Sequence, residues 1–351
     1  MAAPAPTYVR RVVLAVGIAA FAVLLVLAVW VSSRMLALIF GGILLAVLLR
    51  GLGELLSRYT GIRESRCVWM VVAALVALFG FGGWYLSGEI AGQFDALGHS
   101  LTAIWEQVRG YLERYGWGQQ VLAMLGDPQS SEEKAGAIRQ AIAAVLGGIS
   151  GLVISLFIGV YVAADPTLYR SGFLRLVPMR SRERAAEILN DLHDALRGWL
   201  LGTLVLMILV GTITTIGLWL IGIPLPLALG IIAFLLEFIP YIGPIAAAVP
   251  AVLVASTVGT QEVLFVALLY WGIQSIEGYV LSPLVFQRSI AIPPMLTISA
   301  QVVLGTLLGV LGIIFATPLA ACTMVLVQKL YVEDILGDRL ERPLKPKVAG
   351  T

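Results

Sequence analysis

Apolar runs of bilayer length recur along this chain, and that single feature leaves few folds open to it. A hydrocarbon core about 30 Å thick takes about 20 residues of helix to cross. Val12–Val31 is such a run, ended by Ser32-Ser33-Arg34 and read as a retained anchor, since no signal-peptide cleavage pattern follows it. Met35–Leu49, extended through Leu55 and Leu56, comes next, then Cys67–Leu86, Ile142–Ala164 and Trp199–Ile221. The fourth run stops at Asp165-Pro166, where proline removes an amide donor and restricts the residue before it. Composition agrees: 59% of the residues are hydrophobic and 13% charged, against about 45–50% and about 25% in soluble domains. Lipid must therefore be the main solvent and neighbour. The 23 Lys and Arg balanced by 21 Asp and Glu give no basic field for nucleic acid. The expected fold is an all-α polytopic membrane protein.

Nothing in the sequence assembles a catalytic or metal centre. Cys67 and Cys322 lie in apolar runs without metal spacing, and His99 and His193 are too few for a zinc site. Ser150 and Ser155 have no base nearby, and there is no phosphate loop or HExxH. The chain reads as a non-enzyme without metal or cofactor.

The segments between the runs set the layout. Residues 1–87 read as N-terminal membrane helices, 88–141 as an extracytoplasmic helical segment and 142–164 as a membrane helix. Residues 165–197 read as a cytoplasmic amphipathic helix, 198–330 as a transport core and 331–351 as a cytoplasmic tail. Ile90, Phe94, Leu97, Leu101, Ile104, Val108 and Leu112 repeat with heptad spacing. That seam suits either packing on its own chain or a homo-oligomer contact through 90–112. In 165–197, Ala185, Ile188, Leu189, Leu192, Leu196 and Trp199 share one helical face, with Arg184, Glu187, Asp191 and Asp194 opposite as a solvated face that includes His193. Placing both termini in the cytoplasm puts 17 Lys and Arg inside and five outside, with only Arg288 left over.

The C-terminal third breaks the pattern. Pro224–Thr257 is 34 residues long, about 50 Å as one helix, and Pro240-Tyr241-Ile242-Gly243-Pro244 splits it into arms too short to cross comfortably. A second such run opens at Ile292-Pro293-Pro294, is interrupted by Gly305, Gly309 and Gly312, and carries Thr317-Pro318 near its end. Ile223-Pro224 and Gly243 each precede their counterparts Ile292-Pro293 and Gly312 by 69 residues. The unit of span plus broken segment thus occurs twice, over 199–257 and 263–328, with Val263–Leu281 as the second span. If both broken runs cross fully there are eight crossings and Arg288 lies outside; read as re-entrant hairpins, the two units are inverted in the membrane, the arrangement common in secondary transporters, and Arg288 is cytoplasmic. Pro240, Gly243, Pro244, Gly309, Gly312 and Pro318 are the expected breaks.

Glu237 stands just before the first break and Glu277 lies inside the intervening span, with no Lys or Arg at similar depth; Glu262 belongs to an outer connection. A charge at the centre of a membrane helix costs about 2.5–3.5 kcal/mol on insertion scales, so such residues usually face a cavity. These acids can carry a proton, bind a cation or accept bonds from freed backbone amides. Tyr241, Gln274, Gln301 and Thr306 are the candidate polar companions for substrate or ion.

The stretch Leu235-Leu236-Glu237-Phe238-Ile239-Pro240-Tyr241-Ile242-Gly243-Pro244 resembles the autoinducer-2 exporter family. Gln274–Pro283, Gly309–Pro318 and Asp165 at the end of the fourth run extend the resemblance over most of the chain. It implies an oligomeric bacterial inner-membrane protein with about eight membrane segments. Family members are linked to export of autoinducer-2 and others to sodium–proton antiport. The reading is a secondary transporter that exports a small polar solute, organic anion or autoinducer-2-like signalling molecule, coupled to protons or sodium. The alternatives are a sodium–proton antiporter and a non-transporting membrane scaffold.

Overall fold

The computed structural model describes residues 32–77, 153–286 and 292–338, together with isolated positions elsewhere. The first run, Val12–Val31, the heptad seam, Arg288 and most of the tail lie outside the described residues. All described regular structure is helical. Met35–Leu49 and the residues after it form one helix, α1 (Ser33–Thr60), closed by Gly61 at φ 68° with its N–H on the Ser57 carbonyl. Helix α2 (Glu64–Ala77) folds back on α1, with Val68 filling the space where a side chain on Gly53 would stand.

Helix α3 (Val153–Ala164) runs parallel to α1. Ser155 Oγ donates to the Leu38 carbonyl at 2.8 Å, and Arg50 Nη1 reaches the Ala163 carbonyl at 3.2 Å. Gly42, Gly151 and Gly159 allow the approach: a Cβ on Gly42 would stand 2.6 Å from Ile158, and one on Gly159 2.8 Å from Leu45. Leu49, Val68 and Ala163 close a small core between the three helices. At the end of α3, Asp165 caps α4 (Pro166–Arg175) by accepting the Leu168 amide at 3.1 Å, with Pro166 opening the helix. Hydrogen bonds from the Thr167 hydroxyl and that amide hold the Asp165 carboxyl below its ordinary range.

Residues 182–197 of the amphipathic segment and the fifth span are one helix, α5 (Arg182–Ile221), 40 residues long, about 60 Å, separated from α4 by a break over 176–181. No proline interrupts it, and Gly222 at φ 84° ends it. Ile188, Leu196 and Trp199 are buried as their spacing predicts. The charged face is only partly solvated. Glu187 and Asp194 are exposed, but Arg184 Nη2 lies 2.8 Å from Glu333 Oε2 and 3.0 Å from Asp334 Oδ1, and Lys329 Nζ lies 3.0 Å from Asp191. These partners come from the far end of the chain, which no local pattern could place there. Exposed ion pairs contribute little singly, about 0.2–1 kcal/mol each. Arg184→Ala, which removes several at once, is expected to cost about 1 kcal/mol, read as a lower thermal midpoint in detergent. Glu333→Ala added to it should lower the midpoint by less than the sum of the two.

Both broken runs fold as helical hairpins. The first is α6 (Pro226–Leu236) and α7 (Ile242–Val258). After α8 (Thr260–Ile276), a π-turn over Glu277–Leu281 and the short α9 (Ser282–Val285), the second is α10 (Pro294–Leu308) and α11 (Val310–Leu326). Helix α6 lies antiparallel to α5, with Gly211 against Phe234 and Gly230 against Thr215. Helix α11 is also antiparallel to α5, as the pairs of Arg184 and Lys329 require. The first hairpin therefore hangs from the Ile221 end of α5, while the second opens toward the Arg184 end. Their tips point in opposite directions, and the first tip lies beside Trp199 and Thr203 of α5, against Thr297 and Gln301 of α10 and Thr317 of α11. The core of the first hairpin is Leu229, Ala251, Val254 and Val266, all but fully buried. A second cluster of Leu44, Val47, Leu196 and Leu200 binds α1 to α5, with Phe315 and Cys322 of α11 against it.

The 69-residue repeat has a structural counterpart. A Cβ on Gly243 would stand 1.9 Å from the Leu236 carbonyl oxygen, and one on Gly312 the same 1.9 Å from the Leu304 oxygen. In each hairpin this glycine lets the second helix cross the end of the first. Pro318 lies inside the unbroken α11 and Pro250 inside α7, so neither marks a chain break. A proline inside a helix removes one hydrogen bond and crowds the preceding turn, and the buried Tyr270 hydroxyl donates to the Ala247 carbonyl in the turn before Pro250.

Candidate functional site

The tip of the first hairpin is built from the residues that break the helix. Helix α6 ends at Leu236, and the chain turns through Glu237-Phe238-Ile239-Pro240-Tyr241. Tyr241 has φ 66° and ψ −51°, and the Ile242 amide closes on the Pro240 carbonyl at 2.8 Å. That is a γ-turn of the rare positive-φ kind, strained for any residue with a Cβ. The same Pro240 carbonyl accepts a second bond, at 2.8 Å, from Gln301 Nε2 on α10. Gln301, 2% exposed, thus ties the second hairpin to the strained tip of the first. Phe238 anchors the tip from the other side, meeting the Trp199 ring edge to face with centroids 5.4 Å apart.

Glu237 is carried inward by this turn and is 6% exposed. It shares the wall of one cavity with Glu277, at the start of the π-turn following α8. Such wide turns inside helices recur at functional sites because they displace a side chain from the regular register. Gln274, one turn earlier on α8, donates from Nε2 to Glu277 Oε2 at 3.0 Å and orients it. Neither carboxylate accepts a backbone amide among the described residues, so amide capping is not their role here. Glu237 Oε2, Gln301 Oε1 and Thr317 Oγ1 are buried without a hydrogen-bond partner among the described residues.

These groups surround a cavity of about 450 Å³. Glu237, Tyr241, Gln274 and Glu277 line it, as do Pro240 and Pro244 of the break. Gln301 stands behind the wall with its side chain on Pro240. Thr306 does not join them: it is exposed, and its hydroxyl bonds the Val303 carbonyl of its own helix. The sequence reading did not single out Trp199, Thr203, Phe286, Thr297 and Thr317 as site residues, yet all five face the cavity. One signal was available, since Thr297 precedes Gln301 by four residues and so shares its helix face. Among the described residues, no group of three His, Cys, Asp or Glu side chains is placed to hold a metal ion.

A family model described as AI-2E family transporter matches residues 19–331, a span that contains both hairpins and the acid pair. The chain belongs to this family. Among curated proteins, the chain is 33% identical over 196 residues to YrrI of Bacillus subtilis, covering 55% of this chain and 56% of that one. It is 29% identical over 230 residues to YueF of the same organism, covering 64% and 60%. It is 27% identical over 201 residues to YhhT of Escherichia coli K12, covering 55% of each. All three are named as transport proteins, and the chain spans a little over half the length of each. Family membership and the long apolar helices together make this a membrane-embedded protein of a transporter family.

The strain at Tyr241 can be tested directly. Glycine adopts positive φ without a steric cost, and strained backbone of this kind costs of order 1–3 kcal/mol. Tyr241→Gly is therefore expected to raise the thermal midpoint in detergent. A fall in the midpoint would show that the tyrosine ring contributes more than the strain it imposes.

Proposed function

We propose that this protein is an ion-coupled secondary transporter that exports a small polar solute, of autoinducer-2-like size, across the bacterial inner membrane. The two hairpins act as re-entrant segments opening to opposite faces, with both termini in the cytoplasm. One observation carries the reading: two glutamates, with no Lys, Arg or His beside them on the described lining, share the wall of a cavity bounded by both hairpins. At an effective dielectric near 20, like charges a few ångströms apart repel by about 4–5 kcal/mol. The pair therefore requires one positive charge between its members, either the coupling ion or a charge on the solute. Exchange of one for the other at the same two carboxylates is what couples two fluxes.

The fold supplies the rest of such a cycle. Irregular backbone at membrane depth is tolerated where it is buried in protein or lines a cavity, and the Pro240 carbonyl, doubly hydrogen-bonded, meets that condition. A sodium–proton antiporter would use the same acids, but a cavity of about 450 Å³ is of the size that holds a small organic molecule. The proposal is tested by a solute screen in proteoliposomes under an imposed pH gradient. At least one solute should accumulate with the wild-type protein and not with Glu237→Gln plus Glu277→Gln. Sodium-dependent proton movement with no solute flux would favour the antiporter instead.

A further inference from the structure

The geometry points to an organic cation, a solute carrying an ammonium group, as the cargo of this cavity. This rests on the transport reading above and narrows its solute class. Three features of the wall carry it. First, both charged side chains on the described lining are acids, Glu237 and Glu277, and no Lys, Arg or His accompanies them there. An anionic solute would meet two carboxylates with no compensating charge. Second, the polar lining groups Glu237, Glu277 and Thr317 carry oxygens that accept from an ammonium donor.

The third feature separates an organic cation from a bare one. Hard metal ions are held by shells of about six or more oxygens a little over 2 Å away. Here Trp199, Tyr241 and Phe286 form much of the wall. Aromatic faces attract ammonium groups through the ring quadrupole, most strongly when desolvated. A carboxylate pair beside aromatic faces, in a space far larger than one ion, suits an ammonium head with an apolar body. Gln274 holds Glu277 toward the pair and would keep it in place while the ammonium group and a proton exchange.

The test uses one molecular shape in three charge states: choline, its neutral analogue 3,3-dimethylbutanol and the anion 3,3-dimethylbutanoate. Binding to the purified full chain is measured by calorimetry in sodium-free buffer. Choline should bind at least about tenfold more tightly than the neutral analogue, and the anion should not bind. In Glu277→Gln that preference for choline should fall by about tenfold or more, and Trp199→Leu should weaken choline binding severalfold. Equal binding of the neutral analogue, or any preference for the anion, overturns the proposal without help from a variant. So does a preference for choline that arises only in Arg288→Gln, because a cationic side chain would then be neutralising the pair. If choline fails while another solute still moves under a pH gradient, the cargo class is wrong and the transport reading stands. If no solute moves at all, the transport reading itself fails.

Discussion

Gly243→Ala is expected to unseat the first hairpin and lower stability by about 3 kcal/mol or more, at the upper end of what overpacking does. The new methyl would stand 1.9 Å from the Leu236 carbonyl oxygen and 2.7 Å from its carbon. Both are backbone atoms, so no side-chain rotation relieves the clash, and α7 must move away from the end of α6. Against a total of about 5–15 kcal/mol for a folded domain, that is a large share. Gly312→Ala should do the same to the second hairpin, because its methyl meets the Leu304 carbonyl oxygen at the same 1.9 Å. Gly272→Ala is the control, since nothing lies within 4 Å of a Cβ there. It should be neutral or stabilising by up to about 1 kcal/mol. Thermal midpoints and elution profiles in detergent measure all three, and equal midpoints for Gly243→Ala and Gly272→Ala would refute the crossing geometry.

Glu277→Gln should have the opposite signature, with transport lost and the fold kept. The amide preserves the shape of the side chain while removing its charge from the wall it shares with Glu237. Gradient-driven flux is expected to fall by about 100-fold or more, equivalent to about 2.7 kcal/mol. The thermal midpoint should stay level or rise, because replacing one member of a buried like-charged pair by a neutral group relieves repulsion. Glu237→Gln should behave alike, and the double variant should be little worse than either, as expected of two groups acting as one unit. A purely structural pair predicts the reverse, a lower midpoint with residual flux in proportion to folded protein.

The acid pair was legible in the sequence because lipid makes local composition informative. A glutamate in an apolar run stands out without any knowledge of the fold, and so do Pro240 and Pro244 at a break. The 69-residue offset between Gly243 and Gly312 was legible too, and it corresponds to a shared crossing point. Thr306 was out of reach of the same logic. It lies five residues beyond Gln301, about 140° around the helix, and so faces away from the cavity. Pro318 looked like a break because proline usually ends a helix, yet α11 runs through it within packed surroundings. Trp199 carried an apolar signal and was read as part of a hydrophobic face, which it is; its second role needs Phe238 and the cavity, brought together from nearly 40 positions away. Arg184 and Asp191 show the same limit, since their partners Glu333 and Lys329 are set by the antiparallel run of α11 and by nothing in the helix that bears them.

The most direct measurement is whether solute flux moves protons through this pair. Proteoliposomes holding a trapped pH dye are given an outward gradient of choline, of 3,3-dimethylbutanol or of a solute found by the screen, with no pH gradient at the start. With the wild-type protein, efflux of the transported solute should drive protons inward and acidify the lumen. The same vesicles carrying Glu237→Gln plus Glu277→Gln should show no acidification. Acidification that persists in the double variant, or solute efflux in the wild type with no proton movement in sodium-free buffer, would contradict a proton-coupling role for Glu237 and Glu277.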